Sequence, residues 1–280
     1  MASKTYSFYS TETAYVPEGN DSLVIELGKA HIACLVHDDN RMINAMEWFS
    51  VDEEEKKDIG VLIEGVKQTS QLVGRPFIFT TLVFNNRWNI IIPSSKFEVE
   101  YLHDTIYAAF GSTIEHICQY DELKTGVGFV NAYRIPGNII EKVRNLIAID
   151  KVQHSYTRFL ANNLVDNSPQ ANFVQVLLYH NEMVVTILTD GELQYMHAFA
   201  YQTADDVVYY LLNLCGHFTL NPKTVPVKLS GFVEEHPDMY NFITRFFKNA
   251  QFQTYPLNKL NFETGNYPLY YFTPIFNLVS

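Results

Sequence analysis

Basic residues are scarce in this chain. Twenty Lys and Arg stand against 31 Asp and Glu, a net charge of -11, and a field of that sign repels phosphate backbones unless a basic patch overrides it locally. No such patch occurs. The densest charge run, Asp52 to Asp58, mixes both signs and reads as the solvated start of a helix. Nucleic acid is thereby excluded as an expected partner. Cysteine is scarce too: Cys34, Cys118 and Cys215 lie far apart, are odd in number and form no CxxC, which excludes a disulfide framework and a zinc site and leaves reduced core thiols. Long apolar runs are missing. The stretch MASKTYSFYSTET has no signal-type segment, and the charge-free run Val207 to Pro222 is too short and holds Asn213, Gly216 and His217, so no membrane insertion and a cytoplasmic location are expected. The nine histidines form no HExxH, HxxxH or HxH pair, and there is no GxSxG, so neither a metal site nor a nucleophilic enzyme is indicated.

What is present is a globular balance, 280 residues of which 47% are apolar and 14% aromatic, enough for about two domains. It carries one pattern twice. From Ser22 the chain reads as an apolar strand ending at Leu27, a Gly28-Lys29 turn, a strand through Val36, a turn at Asp38 to Asn40, a strand ending at Phe49 and then a helix. From Asn172 the order returns: a strand to Tyr179, a turn at Asn181-Glu182, a strand to Leu188, an Asp190-Gly191 turn, a strand to Phe199 and a helix. Both helices are expected to open on a hydroxyl with a carboxylate three residues on, Ser50-x-x-Glu53 and Thr203-x-x-Asp206.

After the first meander the pattern predicts a hairpin of PFIFTTLVF and WNIIIP around Asn85-Asn86, a helix near Lys96 to Phe110, a strand GVGFVNAYRI and a helix from Asn138 to Ile147. After the second it predicts a strand PVKLSG, a helix opened by Pro237 and running to about Lys248, and a strand AQFQT. Three antiparallel strands followed by alternating helices and strands is the layout of a ribonuclease-H-like half, and two in tandem is that of the actin-like ATPase superfamily. The expected class is α/β, with tandem ribonuclease-H-like halves whose mixed sheets are flanked by helices. Residues 1–20 are expected as a tail, 21–166 as a first half with an inserted hairpin and helix, 172–255 as a second half, and 256–280 as an aromatic segment packed on the core. The turn-rich Asp166 to Asn172 lies at the junction.

The run FAYQTADDVVYYLLNLCGHFTLNPKTVPVKLSGFVEEHPDMYNFITRFF, Phe199 to Phe247, resembles the C-terminal signature of an uncharacterised bacterial family, a domain of unknown function assigned an actin-like ATPase fold. More distantly, VGFVNAYRIPGNIIEKVRNLIAIDKVQHSY with the second meander is similar to the middle of actin-like scaffold proteins of pilus assembly and type II secretion.

The superfamily resemblance implies an acidic residue at the end of the first strand of each half, holding the magnesium-bound water and the nucleophile, and a glycine in the turn that follows, so that backbone amides reach the phosphates. The first half offers Glu26-Leu27-Gly28, followed by Lys29. The second has Tyr179-His180-Asn181 in that place, with neither carboxylate nor glycine. The adenosine stretch, ordinarily with two adjacent glycines, is represented by Ser230 and Gly231. The candidate nucleotide residues are therefore Glu26, Gly28, Lys29, Asn181, Ser230 and Gly231, and if nucleotide matters, Glu26→Ala and Gly231→Val are expected to abolish ligand-dependent stabilisation while leaving the fold intact. The tail NYPLYYFTPIFNLVS would pack as an extra strand or present Tyr267, Tyr270, Tyr271, Phe272 and Phe276 to a partner. Because the second acidic motif is missing, the leading expectation is a non-catalytic scaffold with an unknown protein partner and no required cofactor. The alternative is a protein that binds ATP with magnesium and hydrolyses it weakly or not at all.

Overall fold

The computed structural model describes residues 2–11, 15–51, 58–124, 128–165, 172–233 and 238–279. Contacts divide the chain into two units, one of Met1–Ala161 with Pro256–Thr264 and Leu278–Ser280, the other of Asn162–Tyr255 with Gly265–Asn277. The first unit carries β1 (Ser3–Tyr9), β2 (Ser22–Leu27), β3 (His31–His37), β4 (Ile43–Ser50), α1 (Ile59–Thr69), β5 (Phe79–Phe84), β6 (Asn89–Pro93), α2 (Leu102–Phe110), β7 (His116–Leu123), β8 (Phe129–Pro136), α3 (Ile139–Arg144), β9 (Lys151–His154) and the start of α4 (Ser155–Val165). The second carries β10 (Phe173–Leu178), β11 (Glu182–Thr189), β12 (Glu192–Ala200), α5 (Ala204–His217), β13 (Val227–Gly231), α6 (Met239–Phe246), β14 (Ala250–Phe252) and α7 (Leu269–Phe276).

The sheet orders are β1-β4-β3-β2-β5-β9 and β12-β11-β10-β13-β14, with a separate three-stranded β6-β8-β7. In each large sheet the first three repeat strands are antiparallel and the next two run parallel to the first. That is the ribonuclease-H-like arrangement, twice. The strands SLVIEL and FVQVLL read as nearly unbroken apolar runs because both of their faces are buried. One face of the first sheet sets Leu23, Ile25 and Leu27 against Leu62, Ile63 and Val66 of α1. Its counterpart sets Val174, Val176 and Leu178 against Val207 and Leu211 of α5 and Ile243 of α6. Each such side chain contributes about 1.5–3 kcal/mol by leaving water.

The repeat extends to single hydrogen bonds. Gly28 N donates to His31 O at 2.9 Å and Tyr179 N to Glu182 O at 2.8 Å; Val51 N donates to Ala30 O at 3.0 Å and Tyr201 N to Asn181 O at 3.2 Å. Asn85 N donates to Leu27 O at 3.0 Å, as Phe232 N does to Leu178 O at 2.9 Å. These bonds match Leu27 with Leu178, Glu26 with Leu177 and Gly28 with Tyr179, two residues away from the alignment that sequence suggests.

Several other expectations are corrected. Residues 1–20 are not wholly a tail, because β1 pairs with β4 at the sheet edge and Lys4 and Tyr9 both reach the buried Glu47, at 2.8 and 2.6 Å. Ser50 ends β4 instead of capping α1, whose cap is Asp58; Glu53 lies outside the described residues. No hairpin forms at Asn85-Asn86, since β5 pairs with β2 in the large sheet while β6 pairs with β8. The helix expected from Lys96 begins at Leu102, and the one expected from Asn138 to Ile147 is α3, Ile139–Arg144. Pro237 and most of the expected junction are outside the described residues, and α6 follows Asp238. The segment 256–280 is shared between the units, and its aromatic part forms a helix with Pro274 inside it, not a strand.

Candidate functional site

Glu26 closes β2 with no exposed surface. A carboxylate taken out of water must have donors, and it has them on both oxygens. Ser155, the first residue of α4, donates from Oγ to Oε1 at 2.6 Å, and Nε2 of His31 lies 2.7 Å from Oε2. The imidazole is held in turn by stacking on Trp48, ring centroids 4.0 Å apart and planes 13° from parallel. The same ring lies over Gly28, where a Cβ would collide with it. Glycine at 28 therefore makes room for an imidazole of the chain itself. His31 and Ser155 are 4% and 0% exposed. His31 stands three residues beyond Gly28, so its proximity was readable from the turn; Ser155, 129 residues from Glu26, left no signal.

The remaining candidates divide between the two units. Lys29 lies in the β2–β3 turn beside Gly28 and is exposed, and Asn181 is exposed in the β10–β11 turn. Ser230 and Gly231 end β13, where Gly231 pairs with Leu178 at φ +94° and a Cβ would collide with the Leu178 carbonyl oxygen. Only glycine fits there, and the reason is strand packing. Ser230 is fully buried opposite Leu177, and its hydroxyl has no hydrogen-bond partner among the described residues.

Four of the five aromatic candidates of the tail are core residues, with Tyr270 9%, Tyr271 7%, Phe272 0% and Phe276 0% exposed. Tyr270 stacks on Phe252 at 3.9 Å, Tyr271 packs on Phe232 at 4.6 Å and Phe276 on Tyr255 at 5.4 Å. Rings so placed are not available as anchors for a partner. Tyr267, at 43%, is the exposed aromatic of this segment.

A second buried polar cluster, in the first unit, was not anticipated. Asp121 on β7 accepts from the backbone N of His154 at 2.8 Å and from Thr157 Oγ1 at 2.7 Å, and Asn131 links Thr157 to Asn89, both at 3.0 Å. Burial raises the Asp121 carboxyl above its ordinary range and lowers His154 to about 3. His154 is therefore neutral, with Nε2 donating to Asn86 O at 3.0 Å and Nδ1 accepting from Tyr156 N at 3.2 Å. Every group in this cluster already serves a neighbour, so it fastens the inserted sheet to β9 and α4. No group of three His, Cys, Asp or Glu that could hold a metal ion occurs among the described residues. No described helix is long and apolar enough to cross a membrane.

Comparison with known families gives a match to "Protein of unknown function (DUF3822)" over residues 12–250. The chain belongs to the DUF3822 family. No curated protein matches this DUF3822 chain. Among solved structures it is similar to a Bacteroides thetaiotaomicron protein with an actin-like ATPase fold and unknown function, at TM-score 0.73 and 14% identity over 84% of this chain and 91% of that one. It is also similar to the PilM-PilN type IV pilus biogenesis complex, at TM-score 0.61 and 10% identity over 92% and 96%. The ethanolamine utilization protein EutJ of Carboxydothermus hydrogenoformans gives TM-score 0.52 and 10% identity over 95% and 91%. The DUF3822 chain thus has the actin-like ATPase fold, in agreement with its sheet orders.

Proposed function

We propose that this protein is a non-catalytic member of the actin-like fold and that it works by binding another protein. One observation carries the reading: the single carboxylate left at a phosphate-handling position, Glu26, is committed on both oxygens to Ser155 and His31, and the imidazole covers Gly28. The residues present do not fit a magnesium nucleotide. The position equivalent to Glu26 is Leu177, that equivalent to Gly28 is Tyr179, and Gly231 is closed against Leu178 O. The fold-level likeness to PilM, which occurs in a complex with PilN, supports a protein partner, and the acidic charge supports a partner other than nucleic acid.

The test is a thermal unfolding scan with millimolar Mg-ATP, Mg-ADP and Mg-GTP. A ligand at about 100 times its dissociation constant adds about 2.7 kcal/mol, which moves the midpoint of a chain this size by several degrees. The expected result is no shift with any nucleotide. A shift specific to one of them, lost in Glu26→Gln, would establish the ATP-binding alternative and overturn this proposal.

A further inference from the structure

Helix α5 buries Val207, Val208, Leu211 and Cys215, and a second stripe at helical spacing, Tyr210, Asn213, Leu214 and His217, borders an open groove instead. Tyr195 and Phe199 of β12 form the other wall, Phe218 closes the C-terminal end of α5, and the groove holds about 300 Å³ within the second unit. Phe199 packs on Tyr210 with ring centroids 4.6 Å apart and Tyr195 on Phe218 at 5.6 Å, so strand and helix run in opposite directions along it. Elsewhere in the chain rings are covered by cations. Lys228 lies over Phe173 at 3.7 Å, Arg245 over Phe242 at 5.6 Å and Arg134 over Trp88 at 5.1 Å. Among the described residues no cation covers Tyr195, Phe199, Tyr210 or Phe218. The sequence gives the reason: between Arg158 and Lys223 there is neither Lys nor Arg, while Glu182, Asp190, Glu192, Asp205 and Asp206 all fall there. The next bases lie across the sheet. Lys228 is on β13, three strands from β12, and Lys223 is in a loop whose Thr224 O accepts from Asn249 beside β14.

We infer that this groove is where the chain takes its protein partner and that the partner lays an arginine of a basic segment into it, which rests on the proposed function and deepens it by naming the partner's chemistry. A planar guanidinium stacks on aromatic faces and is less strongly hydrated than an ammonium, so it meets the bare rings at a small desolvation cost. Asn213 and His217 carry acceptor atoms beside those rings for its N–H groups. Charge completes the fit. Glu192 stands three residues beyond Tyr195 on β12, past the Phe218 end, and Asp205 five residues before Tyr210 on α5, past the Phe199 end, and both are exposed. The C-terminal turn of α5, which lines the groove, is also the negative end of the helix dipole. An acidic segment would be repelled at both ends, and a neutral one would leave the carboxylates and the ring faces without a cation.

The test is calorimetric titration of the full chain, at pH 8 and low ionic strength, with acetyl-hexaarginine amide, the hexalysine analogue and the neutral hexacitrulline analogue. Hexaarginine should bind, hexalysine should bind several-fold more weakly, and hexacitrulline should not bind. Phe199→Leu with Tyr210→Leu keeps apolar volume and the net charge of -11 but removes two ring faces, and should weaken hexaarginine about tenfold, roughly threefold for each ring. Tyr101→Leu, at an exposed ring of the first unit, should change nothing. Glu192→Lys with Asp205→Asn alters only exposed side chains and should weaken binding several-fold without touching the groove walls, which keeps the test decisive if the ring variant melts early. Wild-type affinity in either double variant, or equal binding of hexaarginine and hexacitrulline, overturns the inference. So does binding of free N-acetylarginine amide as tight as that of the peptide, which would make the groove a small-molecule site. A nucleotide-specific thermal shift would overturn the proposed function, and the ring variant's effect on hexaarginine is read without nucleotide, so the two failures are told apart.

Discussion

Leu27 and Leu178 end β2 and β10, the first strands of the two repeats, in equivalent positions, each accepting the same hydrogen bond from the residue that follows the parallel neighbour strand. The residues before them differ completely. Glu26 in the first unit pairs with Val83 across the sheet, while Leu177 in the second pairs with Ser230. A backbone repeated to the level of single bonds thus carries a polar lock in one copy and a buried leucine in the other. The comparison teaches that the fold is held by the apolar faces and the ladder. The strand-end position accepts either a carboxylate that has its donors or a leucine that needs none.

The two strand-end glycines offer the strongest way to break this comparison. Gly231 has φ +94° and its Cβ direction points into backbone, which cannot withdraw; Gly231→Val should cost well over 3 kcal/mol and yield little folded protein, as read by soluble expression and chemical denaturation. This corrects the expectation that the substitution spares the fold. At Gly28 the three atoms nearest to an added Cβ all belong to the His31 ring. Gly28→Ala should be milder, and adding His31→Ala should recover part of the loss, a coupling measurable in a double-mutant cycle. Equal losses at the two glycines would show that the ring is as immovable as the backbone.

Next in size is the lock itself. Glu26→Ala removes the acceptor for two buried donors and should cost about 3 kcal/mol in urea denaturation, again against the expectation of an intact fold. Glu26→Leu copies the second unit and fills the volume, so it should cost about 1 kcal/mol less than the alanine. If both variants unfold at the wild-type midpoint, Glu26 is not locked, and the case against nucleotide binding weakens with it.

Acid should separate the units. The position of His154 on β9 corresponds to Thr254 after β14, one residue beyond Gln153 and Gln253 respectively. Burial lowers His154 from 6.5 to about 3, so between those values the unfolded chain binds a proton that the folded chain does not. Stability is then full above pH 6.5 and is lost as pH falls toward 3, at a slope of at most about 1.4 kcal/mol per pH unit. Asp121, raised by burial, acts in the opposite sense at the acid end, where the folded chain holds the proton more tightly. Hydrogen exchange should therefore quicken in the first unit before the second as pH is lowered, and His154→Gln should flatten that slope. Simultaneous exchange in both units would place the acid sensitivity elsewhere.

The two meanders, their turns and the capping box of α5 were legible because period-two alternation and turn residues are local signals. The lock was not, since Glu26, His31 and Ser155 come from β2, β3 and α4 and only the fold joins them. Alignment of the phosphate positions failed for a related reason. Tyr179-His180-Asn181 looks like the counterpart of Glu26-Leu27-Gly28 when strands are read to their last apolar residue, yet Tyr179 already belongs to the turn, where it donates to Glu182 O. Likewise β1 was missed because half of SKTYSFY is polar, and its place at the edge is fixed by a distant carboxylate, Glu47. The aromatic tail, expected to pack on the core as a strand or else to anchor a partner, packs as a helix, because β-forming residues in a short apolar run do not distinguish a strand from a buried helix.

The smallest expected effects sharpen the comparison at the helices that follow the two meanders. Thr203 Oγ1 accepts from Asp206 N at 3.2 Å while Asp206 Oδ2 accepts from Thr203 N at 2.9 Å, a closed box, and Gln202 N donating to the same Oδ2 at 3.0 Å, together with the Thr203 bonds, holds the Asp206 carboxyl below its ordinary range. Asp58 caps α1 through Gly60 N at 3.0 Å and is also approached by Lys142 Nζ at 3.2 Å, so its support includes an exposed ion pair that salt screens. Thr203→Ala should cost about 1 kcal/mol, with little dependence on salt, because what it loses is a backbone bond. Asp58→Asn keeps a capping oxygen and loses the charge, so whatever it costs at low ionic strength should fade as salt is added. Denaturation of both variants at low and high salt reads the difference directly. A Thr203→Ala loss that fades with salt would mean that the dipole, and not the box, holds the start of α5.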